Sequence, residues 1–188
     1  MVYQNQPVGV RTNGVQLELW QRGYQLFSKI PVFINQDGSF SASLFDGDYK
    51  LVRLRGNGPW ADNTDTINVQ VRGTTQIDVP VQPYFTISAP TFQRSGTNLT
   101  SSAQINQVVS GRTVEQVTLY VGTTQFVDAT NNAGSASLSG TAVADLSKPL
   151  SLTLATPAAV KGTAYVRLGV KTAGVAELLY TPVQQVTL

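Results

Sequence analysis

An all-β fold is what this 188-residue chain predicts, and three observations carry the prediction. Apolar and polar residues alternate with a period of two almost throughout. Turn dipeptides interrupt the alternation at short intervals. No window shows a capped apolar stripe of period 3.6. One apolar and one polar face per segment is the signature of antiparallel strands laid on a core.

The elements follow in order. Val15, Leu17 and Leu19 alternate with Gln16, Glu18 and Trp20. Ile67, Val69 and Val71 alternate with Asn68, Gln70 and Arg72, and Ile77, Val79 and Val81 with Gln76, Asp78 and Gln82. Later, Val117, Leu119 and Val121 alternate with Thr118, Tyr120 and Gly122, and Val166, Leu168 and Val170 with Arg167 and Gly169. Turns are expected at Arg22-Gly23, Asp37-Gly38, Asp46-Gly47, Arg72-Gly73, Ser95-Gly96, Ser110-Gly111 and Asn131 to Gly134. Pro83 interrupts an extended run at Val81-Gln82-Pro83-Tyr84. The division there gives two antiparallel β-sandwich domains, 1–82 with roughly six strands and 83–188. Strands of the second are placed near 84–92, 99–109, 114–121, 135–143, 150–154, 162–171 and 178–187. Asn131 to Ala136 and the Gly56-Asn57-Gly58-Pro59 corner read as exposed loops, and the short linker implies domains that pack with limited freedom.

Composition narrows the chemistry. The chain has no histidine and no cysteine, so it lacks the parts of a Ser-His-Asp or Cys-His hydrolase, a thiol redox site or an ordinary zinc site. Its net charge is +2, and with nothing titrating between carboxylates and amines a pI near 9.0 records a flat titration curve. No basic stripe suits nucleic acid. Met1 to Pro7 has neither the charged nor the apolar region of a signal peptide. Sparse Lys and Glu with abundant Thr, Ser, Gln and Asn resemble an exported surface protein.

Several clusters invite a functional reading. Asp37-Gly38 and Asp46-Gly47-Asp48 could hold Ca²⁺, but their spacing is not that of a calcium loop, and Asp-Gly is first a turn signal. Trp60, with Asp62 and Asn63, is the better ligand patch: an aromatic face stacks on a sugar ring while Asp and Asn bind hydroxyls. Against it stands packing of Trp60 over the sandwich edge or into the domain interface. Trp20 poses the same question, since it shares the polar side of its strand with Glu18. It could cover the other domain, pair with Phe33 or lie open to ligand. Glu18, Glu115 and Glu177 share no motif, so no acid/base pair is indicated. Lys29 and Lys161 read as solvated surface, and Arg167 as the cap of a sheet face. No catalytic residue, metal site or cofactor is assigned.

Asn35-Gln36-Asp37-Gly38-Ser39-Phe40-Ser41, followed by Leu44-Phe45-Asp46-Gly47-Asp48-Tyr49-Lys50-Leu51, resembles the hairpin and strand start of the carboxypeptidase-regulatory-like (transthyretin-like) β-sandwich. Asp65 to Thr75, Val79-Pro80-Val81-Gln82-Pro83-Tyr84, Val170-Lys171-Thr172 and Glu177-Leu178-Leu179-Tyr180-Thr181-Pro182-Val183 extend the likeness, and the chain resembles the DUF3823 family nearly end to end. The resemblance implies a transthyretin-like domain followed by an immunoglobulin-like one, in Bacteroidetes proteins often encoded beside outer-membrane glycan-uptake systems. It implies export and a lipid anchor on an N-terminal cysteine, which this sequence lacks. The leading strand over Met1 to Arg11 reads as shortened. The family offers no catalytic residues to transfer. The expected function is therefore non-catalytic: a surface protein of a glycan-uptake system that helps bind or present an oligo- or polysaccharide beside its uptake partners. The alternative is an adhesin-like module that binds another protein of the same complex.

Overall fold

The computed structural model describes residues 1–21, 23 and 28–188; Arg22 of the expected Arg22-Gly23 turn lies outside the described residues. The chain is all-β; the described residues form fourteen strands and one 3-10 turn at Gly140–Val143. The first domain holds β1 (Val2–Tyr3), β2 (Gln6–Pro7), β3 (Gln16–Gln21), β4 (Lys29–Phe33), β5 (Gly47–Arg53) and β6 (Ile67–Val71). Strands β4-β3-β5-β6 form one antiparallel sheet, and β1 and β2 pair as a separate hairpin. Leu17 and Leu19 of β3, Tyr49 and Leu51 of β5, and Val69 and Val71 of β6 turn inward to one buried cluster. The alternation read from the sequence places them there.

The run from Ile77 to Val81, expected as a strand, is extended but not part of that sheet. It contacts β1 instead, with Val2 N–H donating to Val79 O at 3.0 Å and Val81 N–H to Val2 O at 2.9 Å. Two bonds satisfy this backbone where a full ladder was expected.

The second domain holds β7 (Phe85–Ser95), β8 (Asn98–Gln107), β9 (Val114–Gly122), β10 (Gly134–Ser139), β11 (Leu150–Ala155), β12 (Thr163–Thr172), β13 (Leu179–Tyr180) and β14 (Gln184–Thr187). A β11-β8-β7 sheet faces a β10-β9-β12-β13 sheet to which β14 adds along β12. Between them lies the larger core, built on Leu99, Ile105, Leu119, Val166 and Leu168. The single strand expected over 178–187 is two, broken at Thr181-Pro182-Val183 because proline cannot donate to a ladder. Strand β10 begins at Gly134, so only the first part of the expected 131–136 loop is loop. That part is gathered by the buried Asp128, whose Oδ1 accepts the N–H groups of Thr130 and Asn131, each at 2.8 Å.

The joint between the domains is ordered by one side chain. Val166, Leu168 and Val170 enter the core of the second domain, so Arg167 of β12 faces the other way. The sequence reading made it the cap of a sheet face; on that face it is 0% exposed, covered by Val127 and Tyr180 of its own domain and by Gln36 of the first. Its guanidinium donates to Thr181 O at 2.6 Å, Val127 O at 3.4 Å and Gln36 O at 2.5 Å, the last in the other domain. It also lies 4.4 Å from the centre of the Tyr180 ring. Burial pushes its pKa down to about 10, which still leaves it charged at neutral pH. Around it, Tyr180 N–H donates to Gly9 O at 3.0 Å, and Arg11 pairs with Glu177 at 2.8 Å. A side chain on Gly9 would meet Tyr180 O at 2.7 Å, so glycine permits the close approach.

The Asp37-Gly38 turn presents the Gln36 carbonyl to this joint. Hydrogen bonds from the Ser39 side chain and backbone hold the Asp37 carboxyl below the ordinary carboxylate range. A carboxylate depressed by the fold contributes stability above its unfolded-state pKa and loses it as pH falls through the folded value. The melting temperature should therefore fall on acidification, and Asp37→Asn should remove part of that fall. Thermal denaturation of both proteins across the acid range checks this.

Candidate functional site

The two tryptophans and the acidic turns were the residues singled out, and the structure separates them. Trp60 is 5% exposed and belongs to the core of the first domain. It forms an isolated bridge with Pro83 in the linker, flanked by Ala61 N–H to Gln82 O at 2.9 Å and Tyr84 N–H to Pro59 O at 3.1 Å. Its ring lies over Gly58, where a Cβ would stand 2.3 Å from indole Cε2. The Gly56 to Pro59 corner is thus not the open loop expected, since Gly58 and Pro59 are buried. Of the two readings weighed for Trp60, the structure places it in the packed one, sealing the edge of a sandwich at the domain boundary.

Asp62 and Asn63 stay exposed, and both shape turns. Asp62 Oδ1 accepts Gly56 N–H at 2.7 Å, and Asn63 Oδ1 accepts Asp65 N–H at 2.7 Å. Asn57 Oδ1 accepts Gln16 N–H at 2.6 Å, which fixes this loop beside the start of β3. Trp20, four residues further along that strand, is about 13 Å away. The two tryptophans therefore do not converge on one site.

Trp20 lies on the outer face of the β4-β3-β5-β6 sheet. Its neighbour across β4 is Lys29 and across β5 is Lys50, and Lys50 in turn faces Asn68 of β6. Phe33, one of the partners considered for Trp20, stands opposite Gln16 instead. The row Lys29, Trp20, Lys50, Asn68 crosses all four strands, a span of about 14 Å at the usual strand spacing. Glu18 organises it: Oε2 accepts the Trp20 indole N–H at 3.1 Å, and Oε1 binds Lys29 Nζ at 2.7 Å. Glu18 is itself only 7% exposed. Its carboxylate thus draws the indole back along β3, while Trp20 remains partly exposed and Lys50 exposed. A half-covered aromatic ring, fixed at its N–H, with the Lys50 ammonium beside it and the Asn68 amide one strand further on, can stack on an apolar ring face while these groups donate hydrogen bonds to its substituents. Pairing of Glu18 with a lysine across the strands was the feature the sequence reading missed. Spacing alone could have suggested the salt bridge once β3 and β4 were paired.

The acidic turns go elsewhere. Asp46 Oδ1 accepts Gly73 N–H at 3.0 Å, and Asp48 takes Gln70 at 3.1 Å and Arg72 at 3.7 Å. Glu177 is engaged by Arg11, in the joint rather than beside Glu18. A hollow of about 860 Å³ lies in the first domain between the sheet and the extended segments 38–44 and 73–78, but its floor is the domain's own core, Leu19, Leu51, Val69 and Val71.

Two β-sandwiches held at a fixed joint, with an aromatic and polar platform on the outer sheet of the first, define the chain as a tandem β-sandwich protein. It belongs to the DUF3823 family: the model of the DUF3823 N-terminal domain, described as a protein of unknown function, matches residues 1–82, and that of the C-terminal domain, DUF3823_C, matches residues 85–185. Among solved structures, a DUF3823 family protein from Bacteroides ovatus is 38% identical with a TM-score of 0.91, covering 100% of this chain and 95% of that one. Another from Parabacteroides merdae is 34% identical with a TM-score of 0.90, covering 99% and 94%. A more distant neighbour from Bacteroides uniformis, whose name presents it as a candidate carbohydrate binding protein, shares the fold at 16% identity and a TM-score of 0.79, covering 98% and 93%. None of the curated proteins matches the chain.

Proposed function

We propose that the chain is a non-catalytic carbohydrate-binding protein that holds a glycan against the outer sheet of its first domain. The carrying observation is the Trp20 platform, an indole tied by Glu18 and flanked by Lys29, Lys50 and Asn68. Its ring stacks on the apolar face of a sugar, and Lys50 and Asn68 bind hydroxyls along the same row. Asp62 and Asn63, on the exposed loop beyond the start of β3, extend that contact only for a long polymer. The name carried by the Bacteroides uniformis neighbour agrees with this reading, although at 16% identity the likeness supports the fold alone. We place the protein at the bacterial outer surface, lipid-anchored, working beside glycan-uptake proteins. The family resemblance supports that setting.

Affinity electrophoresis in gels containing single polysaccharides tests the reading. At least one polysaccharide should retard the native protein, and Trp20→Ala should weaken that retardation about tenfold or more, since a central stacked aromatic carries a large share of such a contact. Trp60→Phe should be retarded normally. If no polysaccharide retards the protein and it co-purifies with a surface partner, the adhesin-like alternative replaces this reading.

A further inference from the structure

A second concavity lies where the two domains meet, and none of its residues reads from the sequence as a ligand-binding candidate. It is a cleft of about 440 Å³, within the range of small-molecule sites, which favour domain interfaces. One wall is the β1–β2 hairpin with Tyr3, Gln4 and Gln6; the other is the β7–β8 pair with Thr86 and Asn106; Pro182 also lines it. Three features distinguish it from an accidental gap. First, among the described residues no charged side chain lines it, although the chain carries 24 charged groups. Its polar side-chain groups are phenols, hydroxyls and carboxamides.

Second, its shape is fixed. Tyr180 and Thr181, which also line it, are the residues that Arg167 holds by ring contact and by hydrogen bond. The walls belong to different domains, yet Arg167, which ties them together, is fully buried. Such a cleft binds without first paying to close.

Third, the hairpin stores strain at its rim. Gln4 and Asn5 take φ of 50° and 61°, a turn that selects asparagine or glycine, and a glutamine there is uncommon. Gln4 nevertheless spends its amide on the Tyr3 hydroxyl at 3.4 Å, orienting the phenol at the cleft. Across from it, Asn106 donates to Ser88 Oγ at 2.9 Å, which leaves its carbonyl oxygen to accept.

We propose that this interdomain cleft binds the end of an uncharged oligosaccharide, with Tyr3 packing on the terminal sugar and Gln6, Thr86 and Asn106 taking its hydroxyls. The proposal rests on the saccharide reading above and adds a second site of different chemistry: an electroneutral pocket for a chain end, beside an open platform for a chain. No charged side chain lines the cleft to receive a carboxylate, so its polar groups suit neutral sugars better than uronates.

Calorimetric titration of the full chain with maltohexaose, cellohexaose, xylohexaose and mannohexaose, and with a galacturonate hexamer as the acidic control, tests it. At least one neutral hexamer should bind with one-to-one stoichiometry in the Trp20→Ala protein, and the acidic one should not. Tyr3→Ala and Asn106→Ala should each weaken binding about tenfold, the effect of losing one stacking or hydrogen-bonding partner in a small site. Gln4→Gly should weaken binding and raise the melting temperature, a pairing that a merely structural role for the turn would not give. Retention of affinity in both the Tyr3 and Asn106 variants, or failure of every neutral hexamer to bind, overturns the proposal. Retardation by polymers that Trp20→Ala abolishes, with no hexamer bound, would retain the platform and remove the cleft. Hexamer binding without polymer retardation would do the reverse.

Discussion

Arg167→Ala is expected to lower the melting temperature by about 10 °C, the shift that about 4 kcal/mol produces in a chain of this size. The estimate follows from what the truncation leaves behind. Three carbonyls, on Thr181, Val127 and Gln36, lose the donor of a side chain that is 0% exposed. The Tyr180 ring loses the cation at 4.4 Å, and a void opens where the largest fully buried side chain among the described residues stood. Arg167→Met keeps the volume and should cost roughly half as much, by the same argument that unmade hydrogen bonds and lost packing are separate penalties. Because Gln36 and Thr181 lie in different domains, calorimetry should show one transition for the wild type and a broadened or split one for Arg167→Ala. An unchanged midpoint in Arg167→Ala would mean that the joint is held by Arg11–Glu177 and the Gly9–Tyr180 contact without it.

Trp60→Ala should destabilise the protein by a similar amount, about 3–5 kcal/mol, the range for removing a large buried aromatic. Trp60 is 5% exposed, and its neighbours are core residues of the first domain on one side and the linker bridge to Pro83 on the other. Gly58→Ala attacks the same packing from beneath, because its Cβ would lie 2.3 Å from the indole, and should cost about 1–3 kcal/mol. Urea denaturation of the two variants measures both. If Trp60→Ala were instead nearly as stable as the wild type but lost glycan retardation, the ring would be a ligand platform after all.

The period-two pattern gave the inward face of nearly every strand correctly, because a strand's two faces alternate without regard to what covers them. Leu17, Leu19, Val69, Val117, Leu119 and Val166 all reached a core. What the pattern could not show was whether the polar face met water. Arg167 and Gly169 alternate with core residues as any solvent-facing pair would, but Tyr120, Val127 and Tyr180 of the second domain and Gln36 of the first cover them. The glycine is part of the same arrangement, since a Cβ there would meet the rings of Tyr120 and Tyr180, each at 2.9 Å. Trp60 was ambiguous for a related reason. Its neighbours Gly58, Pro59, Asp62 and Asn63 have loop composition, and loop composition does not reveal that a loop folds back onto a linker. The interdomain cleft was illegible altogether, because its walls, Tyr3 and Asn106, lie more than a hundred residues apart in sequence and meet through the same docking.

Intrinsic fluorescence tests the Trp20 platform most directly, since the chain contains two tryptophans in opposite settings. Trp60→Phe leaves only the partly exposed Trp20, and Trp20→Phe leaves only the buried Trp60. Titrated with the polysaccharide that retards the wild type, the Trp60→Phe protein should show a saturable change in emission as a sugar ring covers the indole. The Trp20→Phe protein should show none. A saturable change in the Trp20→Phe protein, with none in Trp60→Phe, would contradict the account and return the site to the linker.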